Sequence, residues 1–91
     1  MSRTGDLKKL KELLVAAKTD DLDTFATLLD RGMKALGLLD KHVSKGLGVS
    51  RPTVLRWRNG DTAPHPLMRP IVYRYLLKLV GEQLASARRP D

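Results

Sequence analysis

The chain contains no cysteine and few aromatic residues, and both shortages limit how it can fold and act. Its 91 residues include one tryptophan, one phenylalanine and two tyrosines. Without cysteine, neither a disulfide nor a thiolate metal site can reinforce the fold. A chain this short buries only about 60–65% of the surface that its unfolded form exposes. We therefore expect one small domain over residues 1–91, with a core of mainly aliphatic side chains.

Long apolar runs are missing as well. The longest uninterrupted apolar stretches are far below the ~18 residues that a membrane-spanning helix needs. The N-terminal residues are strongly charged, and no apolar segment of a signal peptide follows them. We expect no membrane partner and a cytoplasmic, nucleoid-associated protein.

The positive charge of the chain is large and unevenly distributed. The net charge is +7, of which +1 falls on residues 1–36 and +3 on each of 37–63 and 64–91. Such an excess favours anionic partners: nucleic acid, a membrane surface or an acidic protein. The apolar stripes lack the strongly basic opposite face of a membrane-surface helix, which makes that partner the weakest of the three.

Apolar residues recur at steps of three and four along most of the chain, and no stretch alternates with period two. This pattern predicts an all-α fold. We expect five helices, at residues 5–18, Leu22–Leu36, 40–46, Arg51–Asn59 and 67–86. Proline is tolerated only in the first turn of a helix, so the last helix should begin between Leu67 and Pro70.

Three of these helices carry apolar stripes. The stripes consist of Leu7, Leu10, Leu14 and Ala17 in the first helix, of Leu22, Phe25, Leu29, Met33 and Leu36 in the second, and of Ile71, Tyr75, Leu76, Leu79, Val80 and Leu84 in the last. The first and last stripes fit either the core of a monomer or an oligomer contact. Gly32 interrupts the second stripe and marks either a close helix contact or an early helix end.

Residues 39–60 form the most informative segment. Gly48 permits the left-handed backbone of a tight turn, and Ser50 suits the N-cap of the next helix. Pro52 then lies in the first turn, where its missing N–H costs nothing. Asn59 and Gly60 tolerate the positive φ that closes a helix. Helix, short turn and helix are thus specified locally, at the spacing of a helix-turn-helix.

The second helix of this segment has two different faces. Val54 and Trp57 are three residues apart and are expected to point into the core. The outward face consists of Arg51, Pro52, Leu55, Arg56, Arg58 and Asn59. Arginine can pair with O6 and N7 of guanine, and an apolar side chain can contact a thymine methyl group. A cationic face without an acidic residue therefore predicts binding to double-stranded DNA.

The same segment resembles the Cro and lambda-repressor family of helix-turn-helix domains. The matching residues are Gly37, Val43, Ser44, Leu47, Gly48, Val49, Ser50, Thr53, Val54, Arg56, Trp57, Asn59 and Gly60. The likeness covers residues 22–80, including the proline-containing loop and the last helix. It implies a compact lambda-repressor-like domain, here with an extra N-terminal helix outside the likeness.

The resemblance also implies roles for residues and partners. A small transcriptional regulator, typically a repressor, that forms a homodimer on DNA is expected. The expected base contacts are Arg51, Pro52, Leu55 and Arg56. The expected phosphate contacts are Lys41, Lys45, Ser50, Thr53, Arg58 and Asn59. Asp40 stands where the family often has glutamine and is expected to repel phosphate, so that Lys41 or Lys45 replaces this contact.

The other polar residues of the chain indicate neither a metal site nor a catalytic site. His42 and His65 are isolated from further ligands, which does not indicate a zinc site. The spacing of Asp20, Asp21 and Asp23 fits helix capping better than calcium binding. We expect no metal, no cofactor and no enzymatic activity. His42 either reaches a phosphate or faces water.

Two other functions stay open. The helix-turn-helix can serve as the scaffold of a protein-interaction module, such as an antitoxin or an adaptor, whose apolar stripes bind a protein partner. The basic face can instead bind RNA, although the chain offers no exposed aromatic residues on which single-stranded bases would stack.

Overall fold

The computed structural model of the chain describes residues 3–17 and 21–87. Its five helices are α1 (Arg3–Ala16), α2 (Leu22–Leu36), α3 (Asp40–Leu47), α4 (Arg51–Asn59) and α5 (Arg69–Ala87). The described residues contain no strand. The all-α prediction with five helices is thus confirmed, and the predicted bounds of α2 and α4 are those observed.

The other helix ends differ slightly from prediction. Helix α1 ends at Ala16 rather than at Lys18, which lies outside the described residues, as does Asp20. Helix α3 extends to Leu47, one residue past its predicted end. Helix α5 begins at Arg69, so Pro70 lies in its first turn, where no intrahelical partner for its nitrogen is required.

Helix α2 is capped by a side chain at its N-terminus and by the backbone of a glycine at its C-terminus. The carboxylate of Asp21 accepts hydrogen bonds from the backbone N–H groups of Asp23 and Thr24, at 3.1 and 3.2 Å, and from the Thr24 hydroxyl at 2.8 Å. The bonds from Thr24 lower the pKa of Asp21 below its ordinary value of 3.8. Gly37 ends the helix in the left-handed conformation, with φ of 70°. The predicted capping role of Asp21 is confirmed.

The core lies mainly between α1, α2 and α5. Its buried side chains are Leu7, Leu10, Leu14, Phe25, Leu28, Leu29, Met33, Leu36, Val43, Val54, Trp57, Val72, Tyr73, Leu76, Val80 and Leu84. The stripe of α1 is therefore core in this chain. Gly32 marks a close helix contact and not a helix end, because a Cβ atom there would lie 3.4 Å from Cδ1 of Leu76.

Two residues of the predicted apolar stripes lie outside the core. Leu22, the first residue of α2, is 51% exposed, and Ile71 in α5 is 50% exposed. The buried row of α5 runs through positions 72, 76, 80 and 84, at steps of four. Position 71 is offset from that row by about 100° around the helix axis and therefore faces away from the core.

Candidate nucleic-acid interface

Helices α3 and α4 are joined by a three-residue turn whose geometry follows from its residues. Gly48 has φ of 71°, and its N–H donates to the carbonyl of Ser44 at 2.9 Å. The Ser44 hydroxyl donates to the carbonyl of Val49. Val49 packs, half-buried, against the core. The turn is thus held by local hydrogen bonds that require a small hydroxyl residue at position 44.

Helix α4 starts with the cap that the sequence predicts. Oγ of Ser50 accepts from the backbone N–H of Thr53 at 3.2 Å and lies 2.7 Å from the Thr53 hydroxyl. Pro52 lies in the first turn, and Gly60 closes the helix with φ of 78°. Ser50 and Thr53, both predicted phosphate contacts, therefore also have a structural role at this end.

The inner face of α4 anchors the helix to α2. Val54 is fully buried and Trp57 nearly so, as predicted. The Trp57 ring meets Phe25 of α2 edge to face, with ring centroids 6.2 Å apart. Because these two side chains are held in the core, the opposite side of α4 faces solvent.

The outward face of α4 is exposed where base contacts were predicted. Arg51, Pro52, Leu55 and Arg56 are all exposed, and Leu55 retains 47% of its accessible surface. Neither Arg51 nor Arg56 forms a salt bridge or a side-chain hydrogen bond with the described residues. Two free guanidinium groups and an apolar side chain are thus presented together.

The predicted phosphate contacts are mostly exposed beside this face. Lys41 and Lys45 on α3 and Asn59 at the end of α4 all face solvent. Lys41 and Arg51 line one open groove, which is bounded by the end of α2, the start of α3 and α4. The structure thus brings one predicted phosphate contact of α3 close to one predicted base contact of α4.

Arg58 is the exception among the predicted contacts. Its Nε and Nη2 donate to Oδ1 of Asp30 at 2.9 and 2.7 Å, and its Nη1 donates to Oδ1 of Asp40 at 2.7 Å. Asp30 also forms a 2.9 Å salt bridge with Lys34. We call these four residues the charge network. It joins α2, α3 and α4, and the Arg58 side chain is only 21% exposed.

The charge network shifts the pKa of two of its members, Arg58 and Asp30. Burial acts to lower the pKa of Arg58, but hydrogen bonds with Asp40 and Asp30 outweigh it and raise that pKa. The hydrogen bond from Lys34 lowers the pKa of Asp30, burial opposes this, and Arg58 lowers it further. Each charged form is thus stabilised by its partners.

The network also alters what was expected of Asp40. A bare carboxylate at the start of α3 would repel phosphate, but here Arg58 pairs with it and offsets its charge. Sequence reasoning missed this network because Arg58 is 18 residues from Asp40 and 28 residues from Asp30 in the chain. The sequence did contain one signal for it: an acidic residue at position 40, where the family that the segment resembles often has glutamine, together with a third arginine in α4 at position 58.

His42 has a structural role that neither predicted alternative included. Its Nδ1 accepts from the backbone N–H of Leu39 at 2.9 Å and so caps the start of α3. Its carbonyl accepts from the Tyr75 hydroxyl at 3.4 Å. The ring of Tyr75 lies against Gly46, where an added Cβ would be 2.6 Å from the hydroxyl oxygen. Helix α3 is thereby docked onto α5 through a glycine.

Other kinds of site find no support in the part of the chain that the structure describes. Across residues 3–17 and 21–87 no three His, Cys, Asp or Glu side chains are grouped to hold a metal ion. The second histidine, His65, accepts from the backbone N–H of Leu67 at 3.1 Å. None of the described helices is long and apolar enough to cross a membrane.

Compared with known proteins, the chain matches no family model, no curated protein and no solved structure. The likeness to the Cro and lambda-repressor family therefore rests on the residues quoted for it above.

Proposed function

We propose that this protein binds double-stranded DNA in a sequence-specific manner through α3 and α4, as a small helix-turn-helix transcriptional regulator. The observation that carries the proposal is the outward face of α4, where Arg51 and Arg56 are exposed and unpaired on either side of exposed Leu55. A recognition helix in the major groove can use such a leucine against a thymine methyl group, beside arginines that pair with guanine.

In this proposal α4 enters the major groove as the recognition helix. Arg51 and Arg56 lie about 1.4 turns apart, so each reaches a different base step, and either can pair with O6 and N7 of guanine. Pro52 and Leu55 supply apolar contacts between them. The buried pair Val54 and Trp57 keeps this face turned outward.

The backbone of the duplex is held by residues that flank this helix. Lys41 and Lys45 approach phosphates from α3, and Asn59 does so from the end of α4. The hydroxyls of Ser50 and Thr53 retain acceptor and donor capacity beyond the cap and can reach a phosphate at the start of α4. Such contacts set orientation and carry no sequence information themselves.

The test begins with selection of bound sites from a random duplex pool, followed by binding of each variant to the selected site and to random DNA. Arg51→Ala is expected to lose about 1–3 kcal/mol more on the selected site than on random DNA. Asn59→Ala is expected to weaken binding to both alike. Lys8→Ala, which removes an exposed cation on α1, is the matched control and should change neither ratio.

Two results would contradict the proposal. One is equal loss by Arg51→Ala on both duplexes, which excludes base reading. The other is no retention of duplex DNA by the unchanged chain at low salt, which would favour the protein-interaction module. Preference for duplex RNA in competition would favour the RNA alternative.

The same selection reports the oligomeric arrangement. We propose that a homodimer binds two half-sites, because one domain of this size covers only a half-site. Selected sites should then be inverted repeats whose centres lie about 10 base pairs apart, one turn of DNA. Selection of a single unrepeated motif would show that a monomer binds.

A further inference from the structure

The charge network sits at the junction of three helices and not on the open face of α4. Asp30 and Lys34 belong to α2, Asp40 is the first residue of α3, and Arg58 is in the last turn of α4. Among the described residues no other side-chain ion pair links these helices. The charge network is therefore placed where it can set the orientation of α4 relative to α2 and α3.

Three of the five N–H donors of Arg58 are engaged. They point at two carboxylates at 2.7 to 2.9 Å, and these carboxylates come from different helices. A phosphate that accepted from one of the two remaining N–H groups would stand close to both carboxylates and be repelled by them, and a bidentate phosphate contact would require the guanidinium to leave at least one carboxylate. Asp30 would keep Lys34, but among the described residues no second cation pairs with Asp40. The carboxylate would then stand unpaired beside the incoming phosphate.

The charges of the network add up to zero. Lys34 and Arg58 carry one positive charge each, and Asp30 and Asp40 one negative charge each. The network thus gives the proposed interface no net attraction for DNA. Its effect is to remove the repulsion that Asp40 would otherwise exert next to Lys41.

From these observations we infer that Arg58 is a positioning residue, which ties α4 to α2 and α3 and masks Asp40, and that it does not bind a phosphate. The inference rests on the proposed DNA-binding function and replaces one of the contacts expected from the family resemblance. The remaining phosphate contacts are then Lys41, Lys45, Ser50, Thr53 and Asn59.

The first experiment is a rescue. Arg58→Gln leaves Asp40 unpaired and changes the net charge of the network to −1, so affinity for duplex DNA should fall on the order of fivefold at low salt. Adding Asp40→Asn restores a net charge of zero, with Lys34 still paired to Asp30. The double variant should regain most of the lost affinity. Its slope of log affinity against log salt should equal that of the unchanged chain, because no phosphate contact has been lost.

The second experiment keeps the positive charge at position 58 and changes the geometry of the group that carries it. Arg58→Lys retains one positive charge, but a single ammonium group cannot donate to two carboxylates with the fork geometry of a guanidinium. Affinity should fall about threefold with an unchanged salt slope, since helix orientation and not charge is affected. Circular dichroism and thermal unfolding of each variant establish that the DNA results are those of folded protein.

The outcomes separate the inference from the function on which it rests. If Arg58 binds a phosphate, Asp40→Asn will not rescue Arg58→Gln, the double variant's salt slope will be smaller by about 0.9, and Arg58→Lys will bind nearly normally. That pattern overturns the inference and leaves DNA binding intact. If the unchanged chain binds no duplex DNA, the proposed function fails and the inference fails with it.

Discussion

The three long helices and the two short ones are held in place by a different balance of forces. Helices α1, α2 and α5 supply most of the apolar core. Helices α3 and α4 have only eight and nine residues and add three buried side chains to that core, Val43, Val54 and Trp57, with Leu47 packed half-buried against it. They depend in addition on polar restraints: the charge network, the hydroxyl of Ser44 and the bond from Tyr75 to the carbonyl of His42.

This difference predicts which substitutions change the global stability of the protein and which change the position of α3 and α4. Helices this short are marginal on their own, so the conformation of α3 and α4 depends on contacts with the other three. Substitutions in the apolar part should change global stability. Substitutions in the polar restraints should change stability less and the presentation of the outward face more. The predictions that follow test this division, from the largest effect to the smallest.

Truncation of a buried leucine of α5 should have the largest effect. Leu76 is fully buried and lies against Gly32 of α2. Leu76→Ala removes apolar contacts and leaves a cavity, so the free energy of unfolding should fall by about 2–5 kcal/mol. Leu55→Ala on α4 is the matched control, because the same atoms are removed from an exposed position, and should stay within about 0.5 kcal/mol. Urea denaturation measures both, and equal losses would contradict the division between the two parts.

Addition of one methyl group at Gly46 should have the next largest effect. Cβ of an alanine there would lie 2.6 to 2.8 Å from atoms of the Tyr75 ring, so α3 or the ring must move. We expect Gly46→Ala to destabilise the protein by about 1–3 kcal/mol. Gly81→Ala is the control, because its Cβ would meet nothing within 4 Å, and it should stabilise α5 slightly.

A second variant isolates the clash at Gly46. In a Tyr75→Ala background, which removes the ring, Gly46→Ala should cost little or nothing by thermal unfolding. If the alanine remains as costly there as in the unchanged chain, the close approach of α3 to Tyr75 does not explain the glycine.

Loss of the cap of α4 should have a smaller and more local effect. Ser50→Ala removes the acceptor for the backbone N–H of Thr53 and should cost about 1 kcal/mol. Asp21→Ala removes the corresponding cap of α2 and serves as the comparison. Hydrogen exchange should show faster exchange in the first turn of α4 for the former and in the first turn of α2 for the latter. Faster exchange throughout α2 in Ser50→Ala would contradict a local effect.

The elements that could be predicted from the sequence are those with local causes. Ser50, Pro52 and Gly60 specify the ends of α4 through bonds within a few residues, and the bounds of α4 are those observed. Val54 and Trp57 were placed correctly because helical periodicity alone assigns them to one face. Local signals of this kind predict helices and their faces.

The misjudged features depend on distant partners. Ile71 is exposed because neighbours in α1 and α2 determine which row of α5 is buried, and no pattern within α5 fixes that choice. Arg58 lies about 200° around the helix axis from Arg56, at the flank of α4, and carboxylates 18 and 28 residues away bind it there. Pairings between helices follow from the packing angle, which the sequence pattern does not specify.

The smallest expected effect is a pH dependence that arises in the charge network. The hydrogen bond from Lys34 and the charge of Arg58 outweigh burial and lower the pKa of folded Asp30 below its ordinary value of 3.8. A lowered folded pKa means that the ionised carboxylate stabilises the fold above 3.8 and that this contribution disappears as pH falls through the folded value.

The difference in unfolding free energy between the unchanged chain and Asp30→Asn should therefore be constant from pH 7 to pH 5 and shrink below 3.8. Urea denaturation at each pH measures it. Repeating the series in a Lys34→Met background removes the largest cause of the shift, so the decline should still begin near pH 3.8 but end at a higher pH and be smaller in total. A difference that stays constant down to pH 2.5 would show that the Asp30 carboxylate is stabilised by its surroundings no more in the folded than in the unfolded chain, and a decline that Lys34→Met leaves unchanged would show that Lys34 does not cause the shift. If the difference stays constant, the packing of the polar side chains, and not their charge, holds α3 and α4 in place.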